Sequence, residues 1–248
     1  MEIVAYNMRI RGMKMIQIFK RELRAYLLNP LGYVYLSIFF IIVSVLFSLA
    51  NVVEESSNFG VVIANLRIVL MIFVPAITMN LLVEERRNKT EQLLFTVPVT
   101  TRDIVVGKFL AAAVMLIITM LVTMIYPLML AFFTQIYLPT LITEYIGFIL
   151  LGMSLIAVCM FISSFIESSI ISFLVGVGTI FLIWLSEDLV KLARTRVLSE
   201  VLDTFCLMRK YMEFNGGTLN ISTACYYITV VVMFVFLTIR QIERRRIG

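Results

Sequence analysis

The residues best suited to act on another molecule lie in one charged run, Glu84-Glu85-Arg86-Arg87-Asn88-Lys89-Thr90-Glu91-Gln92-Leu93-Leu94-Phe95-Thr96-Val97-Pro98. Glu85 and Lys89 stand four apart in the order that stabilises a helix, Val97-Pro98 ends it, and Thr100 with Asp103 can then cap the start of the third span. Leu93, Leu94 and Phe95 place an apolar cluster on this charged element, and such a cluster needs a cover: lipid, the rest of the chain or a partner protein. The chemistry on offer is recognition, through ion pairs and leucines seated in a groove. Spacing alone describes a structured loop as readily as a docking element.

Nothing else in the chain assembles a reactive centre. Histidine is absent, which removes the usual general base, the commonest metal ligand and the axial ligand of most haems. Cys159, Cys206 and Cys225 share no CxxC spacing and so form neither a zinc nor a redox motif. Cys206 and Cys225 could pair on the outer side, but they read more simply as two unpaired small hydrophobes. Glu167 beside Ser168 and Ser169 reads as a polar turn. Gly107-Lys108 is followed by Phe109 and lacks the upstream glycine of a phosphate-binding loop, so this segment does not bind ATP. The expectation is a non-catalytic chain with no metal and no cofactor of its own.

What must position the charged run is a membrane-spanning scaffold. The 248 residues are 61% hydrophobic and 15% charged, far from the composition of a soluble domain. A helix needs about 20 mostly apolar residues to cross the hydrocarbon core. Six runs qualify, at about 31–50, 63–83, 109–133, 145–165, 170–185 and 221–239. The third has no charge between Phe109 and Glu144, but Pro127, Gln135 and Pro139 favour one span followed by an outer loop. The fold class expected is an all-α membrane protein, one six-span domain covering residues 1–248. No cleaved signal peptide is expected, because the first long apolar run follows Pro30 and has no small-residue cleavage site after it.

Lysine and arginine placement orients the spans. Arg9, Arg11, Lys14, Lys20, Arg21 and Arg24 precede the first. Arg86, Arg87, Lys89, Arg102 and Lys108 fall between the second and third, and Arg240, Arg244, Arg245 and Arg246 follow the sixth. These three segments are expected in the cytoplasm, which puts both termini there. The loops 51–62 and 134–144 carry no Lys or Arg. The exception is 186–220, with Lys191, Arg194, Arg196, Arg209 and Lys210 on the outer side; long loops obey the rule poorly. The net charge of +5 is thus shared between membrane flanks, and no nucleic-acid partner is expected.

Two further segments carry helical stripes. Ile16, Phe19, Leu23, Tyr26 and Leu27 share one face of a helix from Lys14 to Leu28, with Lys14, Arg21 and Arg24 off it, until Asn29-Pro30 breaks the helix. This suits a helix lying in the headgroup layer against anionic lipid. Leu198, Val201, Leu202, Phe205, Met208 and Met212 form the second stripe, ended by Asn215-Gly216-Gly217; it reads as an amphipathic or re-entrant outer segment, or as packing of an outer loop. Ser168, Ser172 and Gly176 make a small-residue stripe on the fifth span, read first as intramolecular packing. Arg67, Glu144 and Glu187 are expected near span ends, which disfavours an ion-coupled transporter with ionisable groups at mid-membrane and slightly favours a lipid-like or bulky amphiphilic substrate.

The run EERRNKTEQLLFTVPVTTRDIVVGKFLAA resembles the signature of ABC-2-type ABC transporter permeases. FKRELRAYLLNPLGYVY before the first span and LSEVLDTFCLMRKYMEFNGG before the last, closed by RQIERRR, resemble the same family. The likeness is greatest to the small permeases of the gliding-motility and nitrous-oxide-reductase-maturation systems, although Asn88-Lys89 stands where relatives often carry a nearby glycine. The resemblance implies a coupling helix made by Glu84, Glu85, Arg86, Arg87, Thr90, Glu91, Leu93 and Leu94, seated on a cytoplasmic ATPase. Two copies of that subunit would bind ATP and Mg and rock two permease chains, identical or related. It also implies an interfacial connecting helix bearing Ile16, Phe19, Leu23 and Tyr26, export of a substrate from a prokaryotic cell, residence in the inner membrane, contact with membrane lipid and room for a periplasmic accessory subunit. An ion-coupled secondary transporter, and an ATPase-driven subunit that moves a partner rather than a substrate, remain alternatives.

Overall fold

A computed structural model describes residues 2–53, 58–83, 100–134, 137–192 and 206–247 of the chain. These are helical, with no strand among them, and six helices are long and apolar enough to cross a membrane. Helix α1 spans Glu2–Leu28 and α2 spans Pro30–Phe47, extended by a π-helical turn at Ser48–Val53. Asn29 separates them, and Pro30 opens α2 at a position whose missing N–H would have had no partner anyway. The elbow is tight enough that a Cβ on Gly32 would overlap the Tyr26 carbonyl.

Helix α3 covers Gly60–Thr78, α4 Thr101–Thr123, α5 Ile125–Leu130 and α6 Leu138–Ser163. Helices α7 (Ser169–Leu192), α8 (Leu207–Asn215) and α9 (Ile221–Ile247) complete the order. The third span is longer than the apolar run predicts. The helix itself starts at Thr101, ahead of the apolar run, because Thr100 and Asp103 form the expected cap, a reciprocal capping box that begins the helix within the charged flank. Lys108, read as a loop charge, therefore lies inside α4. The same span breaks at Met124 and resumes as α5, where Pro127 cannot donate to the carbonyl four residues back.

Helix α6 is the hub, packing against α3, α4, α7, α8 and α9. Two-thirds (67%) of the residues in the α4–α5 and α6 spans are buried, against 22% in α2 and 17% in each of α7 and α9. The core therefore runs along α3, α4 and α6, and the other three spans present most of their surface outward. Gly176 of α7 packs against Pro75 of α3, so that part of the small-residue stripe serves packing within the chain. Cys206 and Cys225 are both free.

Helix α8 lies outside the spans and is laid onto α6. The observed burial differs from the expected stripe: Leu207, Met208, Tyr211 and Phe214 are buried, whereas Met212 is 39% exposed. The buried face of α8 centres on Tyr211, with Leu207 and Phe214 a turn to either side and Met208 at its edge, so Met212 falls off it; residues 198–205 lie outside the described residues. Glu213 then ties α8 to α9, accepting hydrogen bonds from Asn220 Nδ2 (3.2 Å) and the Thr223 hydroxyl. A Cβ on Gly147 would stand 2.5 Å from the Phe214 Cβ, so this glycine sets how closely α8 approaches α6. Gly147→Ala should cost about 1–3 kcal/mol through overpacking, seen as a lowered unfolding midpoint in detergent. An unchanged midpoint would show that α8 is not seated on α6 as described.

Candidate functional site

The side of the bundle bearing the basic flanks is built around the end of α3. The last carbonyls of a helix have no partner within it, and at a membrane boundary water serves them poorly. Two side chains from other elements meet this need. The Tyr26 hydroxyl, on α1, donates to the Ile77 carbonyl at 2.8 Å. The Lys108 ammonium, on α4, donates to the Leu81 carbonyl just beyond α3. Thr78 completes the arrangement by donating to the Val74 carbonyl at 3.0 Å.

Lys108 is buried, with a side chain only 3% exposed, and its Nζ lies 3.4 Å from the Glu22 carboxylate on α1. Glu22 also pairs with the exposed Arg21 at 2.6 Å. A buried ammonium without a partner costs several kcal/mol, so the carboxylate and the carbonyl together make its position tenable. One cation thus ties α1, α4 and the segment after α3. Gly107 makes the approach possible, since a Cβ there would stand 3.1 Å from Ile18 Cγ2.

The interfacial residues are described, with a shift of face. Ile18 is the buried contact of α1 on α4, and it lies off the predicted stripe; Ile16 is 47% exposed, and Phe19, Leu23 and Tyr26 are part-buried. The apolar stripe lies to one side of that contact: Tyr26 and Leu27 pack against the core, while Ile16 stays largely outward. The predicted coupling residues Glu84, Glu85, Arg86, Arg87, Thr90, Glu91, Leu93 and Leu94 lie outside the described residues. The residues on either side of them are built in: Leu81, Leu82 and Val83 are buried on one, and Thr101 on the other beside the Thr100–Asp103 box.

A family model described as an ABC-2 family transporter protein matches residues 53–239. The chain belongs to the ABC-2 transporter family. It is accordingly a permease subunit of an ABC transporter, a membrane component of a kind that generally works with a cytoplasmic ATPase. The matched residues of this ABC-2 chain include both flanks of the charged run and Lys108, while α1 and α2 precede them. Comparison with curated proteins gives no match.

Sequence reasoning missed Lys108 as a tie, because a lysine near a predicted span end counts as an orientation signal; its place behind a capping box was the available clue. It also placed Arg67 and Glu144 nearer the span ends than they are. On the opposite side Glu144, six residues into α6, is 2% exposed against Gly60 at the start of α3. There Arg67 stacks over the Tyr211 ring at 5.4 Å, and burial pushes the Tyr211 phenol well up despite that charge. Among the described residues no cluster has the make-up of a metal site.

Lys108→Met removes the tie and the ammonium donor to the Leu81 carbonyl, while Glu22 keeps Arg21, so it should destabilise the chain by about 1–3 kcal/mol. Thermal unfolding in detergent checks this. Wild-type stability in Lys108→Met would refute the three-way tie.

Proposed function

We propose that this permease subunit couples ATP binding and hydrolysis in a separate ATPase to export across a prokaryotic inner membrane, its basic side and both termini facing the cytoplasm. The observation that supports this reading is the tie at Lys108. It joins α1 and α4 to the segment entering the charged run, so a push on residues 84–99 reaches three elements at once. Glu84, Glu85, Arg86, Arg87, Thr90 and Glu91 supply ion pairs to the ATPase groove, and Leu93 and Leu94 supply the apolar contact that seats the element.

Two ATPase subunits closing around ATP and Mg bias two permease chains, identical or related, between two arrangements. The outward part of the α1 stripe, at Ile16, meets the headgroup layer while this happens. The sequence likeness further favours the gliding-motility and nitrous-oxide-reductase-maturation group, in which a periplasmic accessory subunit would fit the same scheme.

Purification of the tagged chain in mild detergent should bring down a stoichiometric P-loop ATPase. Glu85→Arg with Glu91→Arg should reduce that recovery at least tenfold while leaving the chain inserted and folded. Purification of the wild-type chain alone under several conditions would overturn the reading in favour of a secondary transporter, tested by reconstituted transport without ATP.

A further inference from the structure

A cavity of about 330 Å³ opens in the elbow between α1, α2 and α3, at the lower end of the range of small-molecule sites. Its walls are sorted by polarity. At the elbow stand Glu22, Asn29 and Asn80; deeper in, Tyr35, Phe73 and Met115 make an apolar floor, with Tyr35 and Phe73 edge to face at 4.9 Å. Val34, Ile38 and Ile72 line it too and are each about half exposed, so the cavity opens sideways on the surface that meets hydrocarbon.

Depth fits a bilayer amphiphile. From Asn29 to Ile38 the chain climbs roughly 13 Å at helical rise, close to one leaflet's share of a core about 30 Å thick. The polar groups thus sit at headgroup level and the apolar floor at acyl-chain level. The charged group that lines the cavity, Glu22, is already answered by Lys108 and Arg21, neither of which lines it. What is left for a ligand is hydrogen bonding, and the Asn80 amide makes no hydrogen bond among the described residues.

We propose that this elbow binds a membrane amphiphile with one acyl chain and an uncharged, hydroxyl-bearing head, the chain lying over Tyr35 and Phe73 and the head meeting Asn80. The site shares Glu22 and Tyr26 with the junction at the end of α3, so its occupant wedges between α1 and α3. This proposal does not depend on the ATPase reading, and its test uses no nucleotide.

The full-length chain in phosphatidylethanolamine–phosphatidylglycerol nanodiscs is exposed to a monoacylglycerol carrying a diazirine in its acyl chain, irradiated, and mapped by mass spectrometry. Label should concentrate on peptides covering 22–38 and 72–81 and be competed by unlabelled monoacylglycerol. It should fall about tenfold in Ala76→Trp, which fills the cavity from α3. A diazirine lysophosphatidic acid, which carries the same single chain, should label these peptides several-fold less. Should Ala76→Trp fail to fold, Asn80→Ala serves, expected to weaken labelling by monoacylglycerol but not by a headless alkyl diazirine. Label spread over the exposed faces of α2, α7 and α9, indifferent to competitor and to filling, would overturn the site; equal labelling by lysophosphatidic acid would overturn the uncharged head.

Discussion

A helix that ends near lipid must find donors for its last carbonyls, and in this chain the end of α3 takes them from elsewhere. Tyr26 and Lys108 come from helices far apart in sequence, so serving two carbonyls also fixes α1 and α4 against α3. The lysine is the costlier member. Burying an ammonium is tolerable only while Glu22 and the Leu81 carbonyl hold it, so the tie acts as a unit and loses far more than one hydrogen bond when broken. Such an arrangement transmits displacement because it has little room to deform.

The rest of the bundle is graded around that tie. The core along α3, α4 and α6 is closely packed, with Gly147, Gly152 and Gly176 at contacts where a Cβ would crowd a neighbour. Helices α2, α7 and α9 instead turn aliphatic side chains outward, as lipid-facing spans do. This leaves a firm centre and a periphery able to meet lipid, a second chain or an amphiphile in the elbow. The opposite side is closed by α8, held through Glu213 and through the Tyr227 hydroxyl, which donates to the Leu207 carbonyl at 2.6 Å.

Much of this was legible in the sequence for physical reasons. Six apolar runs of spanning length, Asn29-Pro30 between two helices and a Thr100–Asp103 box are local signals, and each appears where its chemistry requires. Less legible was anything decided between helices. The stripe through Ile16 and Leu23 reports amphipathicity, but not that Ile18 and Glu22 would face α4. Lys108 reads as an orientation charge because sequence spacing does not show that Gly107 lets α1 come close enough to pair with it. The periodicity around Met212 misled for a related reason, since spacing does not show which side of α8 meets α6: the buried face centres on Tyr211, and Met212 falls off it.

In the proposed coupling, force on residues 84–99 is carried into α1 and α4 through the Lys108 tie. Hydrogen–deuterium exchange on the permease–ATPase complex, with and without a non-hydrolysable ATP analogue, tests it most directly. Nucleotide should change protection in 84–99 together with 15–28 and 101–108, and Lys108→Met should confine the change to 84–99. A response in 84–99 that never reaches α1 and α4 in the wild-type complex would contradict it.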